Sequence, residues 1–325
     1  MSSRLRVTVA GAGVFGLASA LALLEAGAEV AILDLEAGPG AGAASASAVA
    51  AGLLAPLGEA IFDPNAATHY PFMVESLSPW RAFAARNGIG VSDDGLVLPA
   101  SLAAAAAALG VSGQPHPLGV LCRVDPRVVD PPAALGALRA RALALGGRLE
   151  RRPVMDEDWR RSDLVVLATG AGAPSGPHAP ELSCLSPIKG QIAVLPSGPQ
   201  DGPTVRWPGG YLAPQPGGAR VGATMEAGRR DTIVEPESIA RLVAAAVDRV
   251  PDLRTEGAFG QAGVRMQTPD ALPLAGPSAS PRTLLAVGAR RNGWLFAPLV
   301  GRMIAAYAME EDAGPWAEML HPGRF

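Results

Sequence analysis

Three glycines near the start of the chain have the spacing of a phosphate-binding turn. Gly11, Gly13 and Gly16 stand as G-x-G-x-x-G within VTVAGAGVFG, and Asp34 follows the next apolar segment, EVAIL. In such a turn the first glycine permits the bend, the second lets the backbone approach a pyrophosphate, and the third lets helix and strand pack closely. The helix N-terminus presents N–H groups to phosphates, and the acid can accept hydrogen bonds from ribose hydroxyls. The pattern predicts a dinucleotide site, with a glycine-rich turn that binds nothing as the plainer alternative.

An arginine in an apolar setting could bind a carboxylate. Arg265 lies within AGVRMQTPD, an unusual position for a charge that is merely solvated. A guanidinium can hold a carboxylate by two parallel hydrogen bonds, which would fix the Cα–H of an amino acid for reaction. Tyr211, which opens YLAPQP, could add a hydroxyl donor to the same carboxylate. The alternatives are an internal ion pair for Arg265 and a core position for Tyr211.

A third candidate is the turn Asn292–Gly293, which stands before an apolar run in LLAVGARRNGWLFAP. Backbone N–H groups at such a turn could stabilise negative charge on a reduced cofactor. The alternative is that the turn only starts a helix.

The elements that must position these residues begin with a βαβ unit. Apolar patterning predicts a buried strand over residues 5–10, a helix over Val14–Glu25 and a strand over Glu29–Leu33. The glycine motif requires this context. The small-residue run EAGPGAGAASASAVAAGLLAP, residues 36–56, leads into the apolar Leu53–Leu54 and predicts a tight loop that enters a helix.

The rest of the sequence mixes helices with turn-rich strands. A parallel group of strands is predicted to continue through RLERRPV and DLVVLATGAGAPSG, whereas SPIKGQIAVLP and YLAPQPGGARVGAT alternate with turns as an antiparallel sheet would. Helices are predicted over residues 69–89, 102–110 and 239–250, and residues 123–147 are predicted to form a turn and a helix. The last helix is predicted over Trp294–Met309.

Composition excludes several classes of function. The formal charge of -3 gives no reason to expect nucleic acid or an anionic membrane as partner. Two isolated cysteines and four scattered histidines predict neither a metal site nor a disulfide framework. The first predicted strand starts within a few residues of the N-terminus, and no run of about 18 strongly apolar residues occurs. We therefore expect a soluble, cytoplasmic protein of 325 residues that can bury a sizeable core.

Taken together, these segments resemble the D-amino acid oxidase family of FAD-dependent oxidoreductases, most closely the glycine oxidases of thiamine biosynthesis. The strand end VVLATGAG is typical of flavoproteins with a two-dinucleotide-binding fold. The matching segments occur in family order and span almost the whole chain: GAGVFG, SAVAAGLLAP, DDGLVLPA, SPIKGQ, YLAPQPGGARVGATME, AGVRMQTPDALPLAG and GARRNGWLFAP.

The resemblance implies an α/β fold with an α+β second domain. A Rossmann-like FAD-binding domain would comprise residues 1–60, 125–175 and 255–325. A discontinuous antiparallel-sheet substrate domain would comprise residues 61–124 and 176–254. FAD is expected to bind non-covalently, because Arg291–Leu295, which would face the flavin, contains no cysteine or histidine.

The resemblance also implies roles for individual residues. Arg265 and Tyr211 would bind the substrate carboxylate, and Arg291 would approach the flavin ring. Met225 stands where glycine oxidases carry methionine and sarcosine oxidases carry a lysine, although a methionine in a strand is usually core. Together, the glycine turn and the resemblance assign the following residues to FAD: Gly11, Gly13, Val14, Phe15, Gly16, Asp34, Leu35, Ala46, Ser47, Ala51, Gly52, Leu53, Val154, Ala168, Thr169, Gly170, Arg291, Asn292, Gly293, Trp294 and Leu295.

The reaction implied is oxidation of glycine or another small amino acid to its imine, by hydride transfer to flavin N5. O2 is the expected acceptor, and the imine would supply thiazole formation for thiamine. A neutral amine can pass its hydride without a general base, so the lack of a well-placed His or Glu is compatible with catalysis. Two departures from the family pattern, Gly209 and Ala289–Arg290, leave the choice of substrate open.

Three alternatives remain. The first is an FAD-dependent dehydrogenase of D-amino acids or N-alkyl amino acids that uses another electron acceptor. The second is a tRNA-modifying oxidase, which the negative charge and the lack of a basic stripe count against. The third is a flavin-binding protein without turnover, which the presence of both Arg265 and Tyr211 counts against. The oligomeric state stays open, with a homo-oligomer as one option.

Overall fold

The computed structural model describes residues 4–35, 45–172 and 176–325. Within these ranges the chain forms a six-stranded, a nine-stranded and a two-stranded sheet. The strands are β1 (Arg6–Ala10), β2 (Glu29–Leu33), β3 (Val91–Ser92), β4 (Leu96–Leu98), β5 (Gln114–His116), β6 (Gly119–Cys122), β7 (Arg127–Val128), β8 (Arg148–Glu150), β9 (Leu164–Leu167), β10 (Ser186–Leu195), β11 (Thr204–Trp207), β12 (Gly210–Gln215), β13 (Gly218–Gly222), β14 (Glu226–Ala227), β15 (Phe259–Gln267), β16 (Leu274–Pro277) and β17 (Thr283–Val287).

Helices connect and cover these strands. They are α1 (Val14–Glu25), α2 (Ala46–Val49), α3 (Pro56–Phe62), α4 (Pro64–Ala67), α5 (Tyr70–Glu75), α6 (Trp80–Asn87), α7 (Ala103–Ala108), α8 (Pro131–Ala144), α9 (Asp156–Arg161), α10 (Pro236–Val247), α11 (Gly293–Ala308) and α12 (Ala317–Leu320). Short 3-10 turns span Ala100–Leu102, Gly170–Gly172, Pro180–Cys184 and Pro322–Arg324.

The six-stranded sheet has the order β16–β17–β9–β1–β2–β8, and all its neighbouring pairs are parallel except β16 with β17. Helix α1 lacks a polar face because the sheet, α8 and α11 enclose it. Its contact with α11 depends on Gly301, where a Cβ would lie 2.6 Å from the carbonyl oxygen of Ala18. The predicted βαβ unit is therefore confirmed, with α1 over the predicted residues.

The nine-stranded sheet is centred on β10. One edge of β10 pairs with β15 along nearly its whole length, and the other edge pairs with β13 and β14, all antiparallel. The sheet continues from β13 through β12, β11, β4 and β6 to β5. The prediction of an antiparallel sheet is confirmed except at β11 and β4, which are parallel. Helix α10 packs on this sheet through buried side chains that include Ile239 and Leu242.

The strands of the parallel-type sheet lie in the three ranges predicted for FAD binding, 1–60, 125–175 and 255–325. Strand β15 also lies in the last of these ranges, yet it pairs with β10 in the antiparallel sheet. The predicted division into two domains stays a prediction.

Three predictions about helices were wrong. Residues 69–89 form two helices, α5 and α6, because Pro79 lacks an amide donor and restricts the residue before it. The predicted tight loop contains the short helix α2 over Ala46–Val49, and the chain enters α3 only at Pro56. Helix α11 is followed by α12, so it is not the last helix. Residues 36–44 of the predicted loop lie outside the described residues.

A buried carboxylate begins α3. Asp125 is 4% exposed, and its two oxygens accept hydrogen bonds from the backbone N–H groups of Leu57 (3.0 Å) and Gly58 (2.6 Å). These groups belong to the first turn of the helix, where N–H groups lack intrahelical partners. Burial raises the pKa of Asp125 to about 7, although the two backbone donors oppose the rise.

We expect this raised pKa to make stability pH-dependent. The unfolded chain releases the Asp125 proton near pH 4, whereas the folded chain keeps it until about pH 7. The stabilising contribution is therefore complete below about pH 4 and is lost as pH rises through about 7, at up to about 1.4 kcal/mol per pH unit. Asp125→Asn should remove this slope in urea unfolding between pH 5 and 8. The exposed Asp93→Asn is the control and should keep the wild-type slope. Parallel profiles for wild type and Asp125→Asn would contradict the assignment.

Candidate active site

A cavity of about 860 Å³ lies between the two large sheets. One wall is formed by the carboxyl ends of β1, β2, β9 and β17, and the other by β10, β12 and β15. Ligands of open parallel sheets bind outside the carboxyl ends of the strands. The cavity is therefore at the position where this fold class binds its ligands.

The glycine turn forms part of the first wall. Gly11 has a φ of 106°, and a Cβ there would overlap the carbonyl of Ala168 after β9. A Cβ on Gly16 would overlap the carbonyl oxygen of Gly11. Both positions therefore require glycine, one for the bend and one for helix packing, as the sequence predicts.

Hydrogen bonds fix the turn against its neighbours. The Asp34 carboxylate accepts from the backbone N–H of Ala12 at 2.6 Å, and the Ser47 hydroxyl accepts from the N–H of Val14 at 3.2 Å. On the adjacent strand end, the Thr169 hydroxyl is buried and has no hydrogen-bond partner among the described residues. The N-terminus of α1 and an unsatisfied hydroxyl thus both border the cavity.

Residues 46–53 are held at the cavity by the antiparallel sheet. Arg220 of β13 donates from one nitrogen to the carbonyl oxygens of Ala48, Val49 and Ala50, at 2.5 to 2.8 Å. Gln215 adds a hydrogen bond from its amide to the carbonyl of Ala51 at 3.1 Å. These contacts give hydrogen-bond donors to the last two carbonyls of α2 and to the two carbonyls that follow it, a place where backbone acceptors lack intrahelical partners.

Arg265 extends from β15 into the cavity. Its Nη1 donates to the Met225 sulfur at 2.9 Å, and its Nη2 lies 3.5 Å from the Thr224 carbonyl oxygen. Over the ranges that the structure describes, no carboxylate oxygen lies within 4.0 Å of the guanidinium. Burial lowers the pKa of Arg265, against the opposing influence of Tyr211. The side chain is thus a largely desolvated positive charge without an internal counter-ion.

Two glycines make room for the polar groups of this end of the cavity. A Cβ on Gly190 of β10 would overlap the guanidinium of Arg265, and a Cβ on Gly222 of β13 would overlap the hydroxyl of Tyr211. Burial raises the pKa of Tyr211, so its hydroxyl stays protonated and can donate. The absence of two side chains therefore lets Arg265 and Tyr211 reach the same region.

A buried ion-pair triad adjoins them. One oxygen of Glu59, on α3, accepts from Arg206 at 2.7 Å and from Arg291 at 2.6 Å. Burial alone would raise the pKa of Glu59, but the two guanidinium groups hold it at about 2. Glu59 is therefore ionised at neutral pH and is a poor proton acceptor.

At Ala289–Arg290, where the sequence departs from the family pattern, the arginine adds another positive group to the cavity. Arg290 has a φ of 52° and forms an ion pair with Asp63, directly after α3. Four guanidinium groups therefore line this end of the cavity, from Arg206, Arg265, Arg290 and Arg291. Both nearby carboxylates, Glu59 and Asp63, are already paired, which leaves an excess of positive charge.

The structure brings most of the predicted site residues together. All of them line the cavity except Gly16, which packs beneath the turn, and Leu295. The Leu295 side chain, on α11, is fully buried in the hydrophobic core. The Leu295 carbonyl accepts a hydrogen bond from the Trp80 indole at 3.0 Å. The prediction that Leu295 meets FAD is therefore not supported by its position. Sequence reasoning missed Glu59, Arg206 and Gly190, although an acid inside the apolar PLGEAIF is a signal for Glu59.

Comparison of the sequence with known protein families shows which family the chain belongs to. The family model described as DAO, FAD dependent oxidoreductase, matches residues 6–307. The chain belongs to this family. It is an FAD-dependent oxidoreductase, and the expected family membership and cofactor are confirmed.

The chain is similar to two kinds of bifunctional protein. Over an alignment that covers 98% of this chain, it is 30% identical to the tRNA 5-methylaminomethyl-2-thiouridine biosynthesis bifunctional protein MnmC of Caulobacter sp. (strain K31). It is 29% identical to the bifunctional protein ThiO/ThiG of Synechocystis sp. (strain ATCC 27184 / PCC 6803 / Kazusa) over 62% of this chain. The chain spans 57% and 34% of those two proteins, respectively.

The solved structure of glycine oxidase from Geobacillus kaustophilus has the same fold. Its TM-score is 0.80 at 24% identity, and the match covers 99% of each chain. The predicted α/β fold class is thereby confirmed.

The described residues fit FAD. The α1 N-terminus offers N–H groups for a pyrophosphate, and the Thr169 hydroxyl has no other partner among them. Among the described residues, no helix is long and apolar enough to cross a membrane. The same residues contain no group of three or more His, Cys, Asp or Glu side chains that could hold a metal ion.

We expect Gly190→Ala to displace the Arg265 guanidinium while the FAD end of the cavity stays intact. Substrate turnover should fall about 10²-fold, because a shift near 1 Å in a positioning group can cost that much. Steady-state kinetics and the flavin content of the purified variant measure the two effects. The control is Gly136→Ala in α8, where a Cβ meets nothing within 4 Å. Equal kcat/KM in both variants would contradict the packing argument.

Proposed function

We propose that this enzyme oxidises the C–N bond of a small amino acid, glycine or a close relative, to the imine. The observation that carries this proposal is Arg265, a cavity-lining guanidinium with no carboxylate within 4.0 Å among the described residues. Arg265 is half-buried and partly desolvated, so a counter-ion would stabilise its charge, and a substrate carboxylate would supply one. Tyr211 would donate to the same carboxylate, so that the substrate is oriented by two groups.

FAD is proposed to occupy the rest of the cavity without a covalent bond. Its pyrophosphate would meet Gly11, Gly13 and the α1 N-terminus, its ribose would meet Asp34, and Asn292–Gly293 would approach the flavin ring. When bound, FAD supplies a hydride acceptor at N5. The chain contributes binding, orientation and electrostatics around that acceptor.

The charge of the cavity supports oxidation of a neutral amine. The four guanidinium groups disfavour an ammonium beside them, and Glu59 and Asp63 are already neutralised by their own partners. A bound amino acid would therefore lose its ammonium proton more readily than in water. No residue of this set has to remove a proton from carbon, because the neutral amine can release the hydride.

The finer parts of the proposal rest on resemblance. O2 is the proposed acceptor, and thiazole formation for thiamine is the proposed use of the imine, supported by the similarity to ThiO/ThiG. A D-amino acid or N-alkyl amino acid dehydrogenase with another acceptor stays the alternative within flavoenzymes.

A second candidate is oxidation of an aminomethyl group on a modified uridine of tRNA. The similarity to MnmC over 98% of this chain favours it, whereas the formal charge of -3 does not. Flavin reduction by tRNA isolated before and after this modification, compared with reduction by glycine, separates the two. Flavin reduction by the tRNA but not by glycine would favour the second candidate.

Asp34→Ala should weaken FAD binding while the chain stays folded. The change removes the proposed ribose hydrogen bonds and the 2.6 Å bond to Ala12, which also holds the glycine turn. Loss of such bonds amounts to about 1–3 kcal/mol. Fluorescence of FAD released on dilution gives the affinity, and Asp34→Asn, which keeps one acceptor oxygen, should be intermediate. An unchanged affinity would mean that the turn has another role.

Arg265→Ala should impair amine oxidation without loss of FAD. Removal of the charge-assisted pair should cost about 3–5 kcal/mol, or about 10² to 10⁴ in kcat/KM. Arg265→Lys should recover only part, because a point charge cannot reproduce the two parallel hydrogen bonds. Tyr211→Phe should cost about 1–2 kcal/mol, since one donor of several is lost. Stopped-flow flavin reduction measures all three variants.

If Arg265→Ala reduces its flavin as fast as wild type at equal substrate concentration, the carboxylate assignment is wrong. The substrate would then be an amine that lacks a carboxylate, and the proposed amino acid oxidation would be withdrawn.

A further inference from the structure

The strand β10 carries the tripeptide Lys189–Gly190–Gln191, and its middle residue makes room for Arg265. Side chains alternate along a strand, so Lys189 and Gln191 face away from that side of the sheet. Lys189 is the one lysine of the sequence, and both flanking residues are 0% exposed. Lysine is seldom buried to this extent unless it is paired.

The partners of Lys189 are carboxylates of residues 224–235, which we call the anchored loop. Its ammonium donates to Asp231 at 2.8 Å and lies 3.9 Å from Glu226 and 3.8 Å from Glu235. A buried cation with three carboxylates around it strongly favours one position of the loop, because any other loop position would leave the Lys189 ammonium unpaired.

Gln191 and Arg229 complete the attachment. The Gln191 amide nitrogen donates to Glu226 at 2.7 Å, and its oxygen accepts from the backbone N–H of Glu235 at 2.7 Å. Arg229 donates to Glu226 at 2.8 Å, to Asp231 at 3.0 Å and also to Glu235. The two ends of the loop are thus tied to the same stretch of β10.

The start of the anchored loop contacts Arg265. The Thr224 hydroxyl accepts from the backbone N–H of Gln191 at 2.8 Å and donates to Glu226 at 2.6 Å. The Thr224 carbonyl and the Met225 sulfur are the two groups that Arg265 donates to. The contacts therefore run without a break from the buried lysine to the unpaired guanidinium.

We propose that Lys189 is a positioning residue, which fixes Thr224 and Met225 against Arg265 and so sets the direction of its guanidinium. An arginine side chain has many rotamers, and it would lose more conformational entropy on binding a carboxylate if nothing restrained it beforehand. The inference rests on the proposed function of Arg265 as the carboxylate-binding group.

The test compares holoenzymes of wild type, Lys189→Met and Lys189→Met/Asp231→Asn. The double variant removes one charge of each sign, so it keeps the net charge of the cluster. If Lys189→Met does not fold, the double variant alone decides the test. Acetate binding is followed through the change in flavin absorbance, which reports on the carboxylate group independently of turnover. We expect the acetate Kd to rise at least about tenfold while the flavin content stays close to wild type. The thermal midpoint should fall, because the loss of Lys189 leaves carboxylates without their cation.

The controls are Arg249→Met and Arg265→Ala. Arg249 is exposed and lies just after α10, outside the hydrogen bonds and ion pairs of the anchored loop, so its variant should bind acetate as wild type does. If the double variant binds acetate normally while Arg265→Ala does not, the positioning role is overturned and the proposed function stands. A parallel loss of flavin, acetate binding and thermal stability also overturns it, in favour of a structural role. If Arg265→Ala binds acetate as well as wild type, the proposed function itself fails.

Discussion

The half-buried, partly desolvated guanidinium of Arg265 is the constraint on which the proposed substrate end of the cavity depends. A positive charge taken out of water costs several kcal/mol unless an anion compensates it. The chain provides no carboxylate within 4.0 Å of this group among its described residues, but it clears space with Gly190 and supports the group with Met225 and Thr224. A ligand carboxylate would stabilise such an arrangement, and the packing of β10 and β15 would then be linked directly to the proposed substrate binding.

The same electrostatic reasoning explains why the neighbouring acids do not neutralise Arg265. Glu59 is shared by Arg206 and Arg291, and Asp63 is paired with Arg290. The carboxylate of Glu59 stays ionised because two guanidinium groups outweigh its desolvation. The excess of positive charge would disfavour the ammonium form of the proposed substrate, which is the protonation state that cannot release a hydride.

Local features of the fold and site could be predicted from the sequence, whereas features that depend on register could not. The glycine turn, α1 and Asp34 fall within one stretch of about 30 residues, where periodicity and turn chemistry suffice. Gly190 faces Arg265 only through the pairing of β10 with β15, 75 residues away, and Glu59 meets Arg206 across 147 residues. The break at Pro79 and the helix start at Pro56 were both marked by a proline, but the apolar pattern around them outweighed it in the prediction.

The most direct measurement of the central claim is the anaerobic absorbance of the purified flavoprotein during titration with matched amines. Glycine and methylamine differ by the carboxylate that Arg265 is proposed to bind, and sarcosine and D-alanine test substitution at nitrogen and carbon. We predict that the yellow flavin bleaches with at least one of the three amino acids and stays oxidised with methylamine at the same concentration. Equal bleaching by methylamine, or no bleaching by any amino acid, would contradict the account.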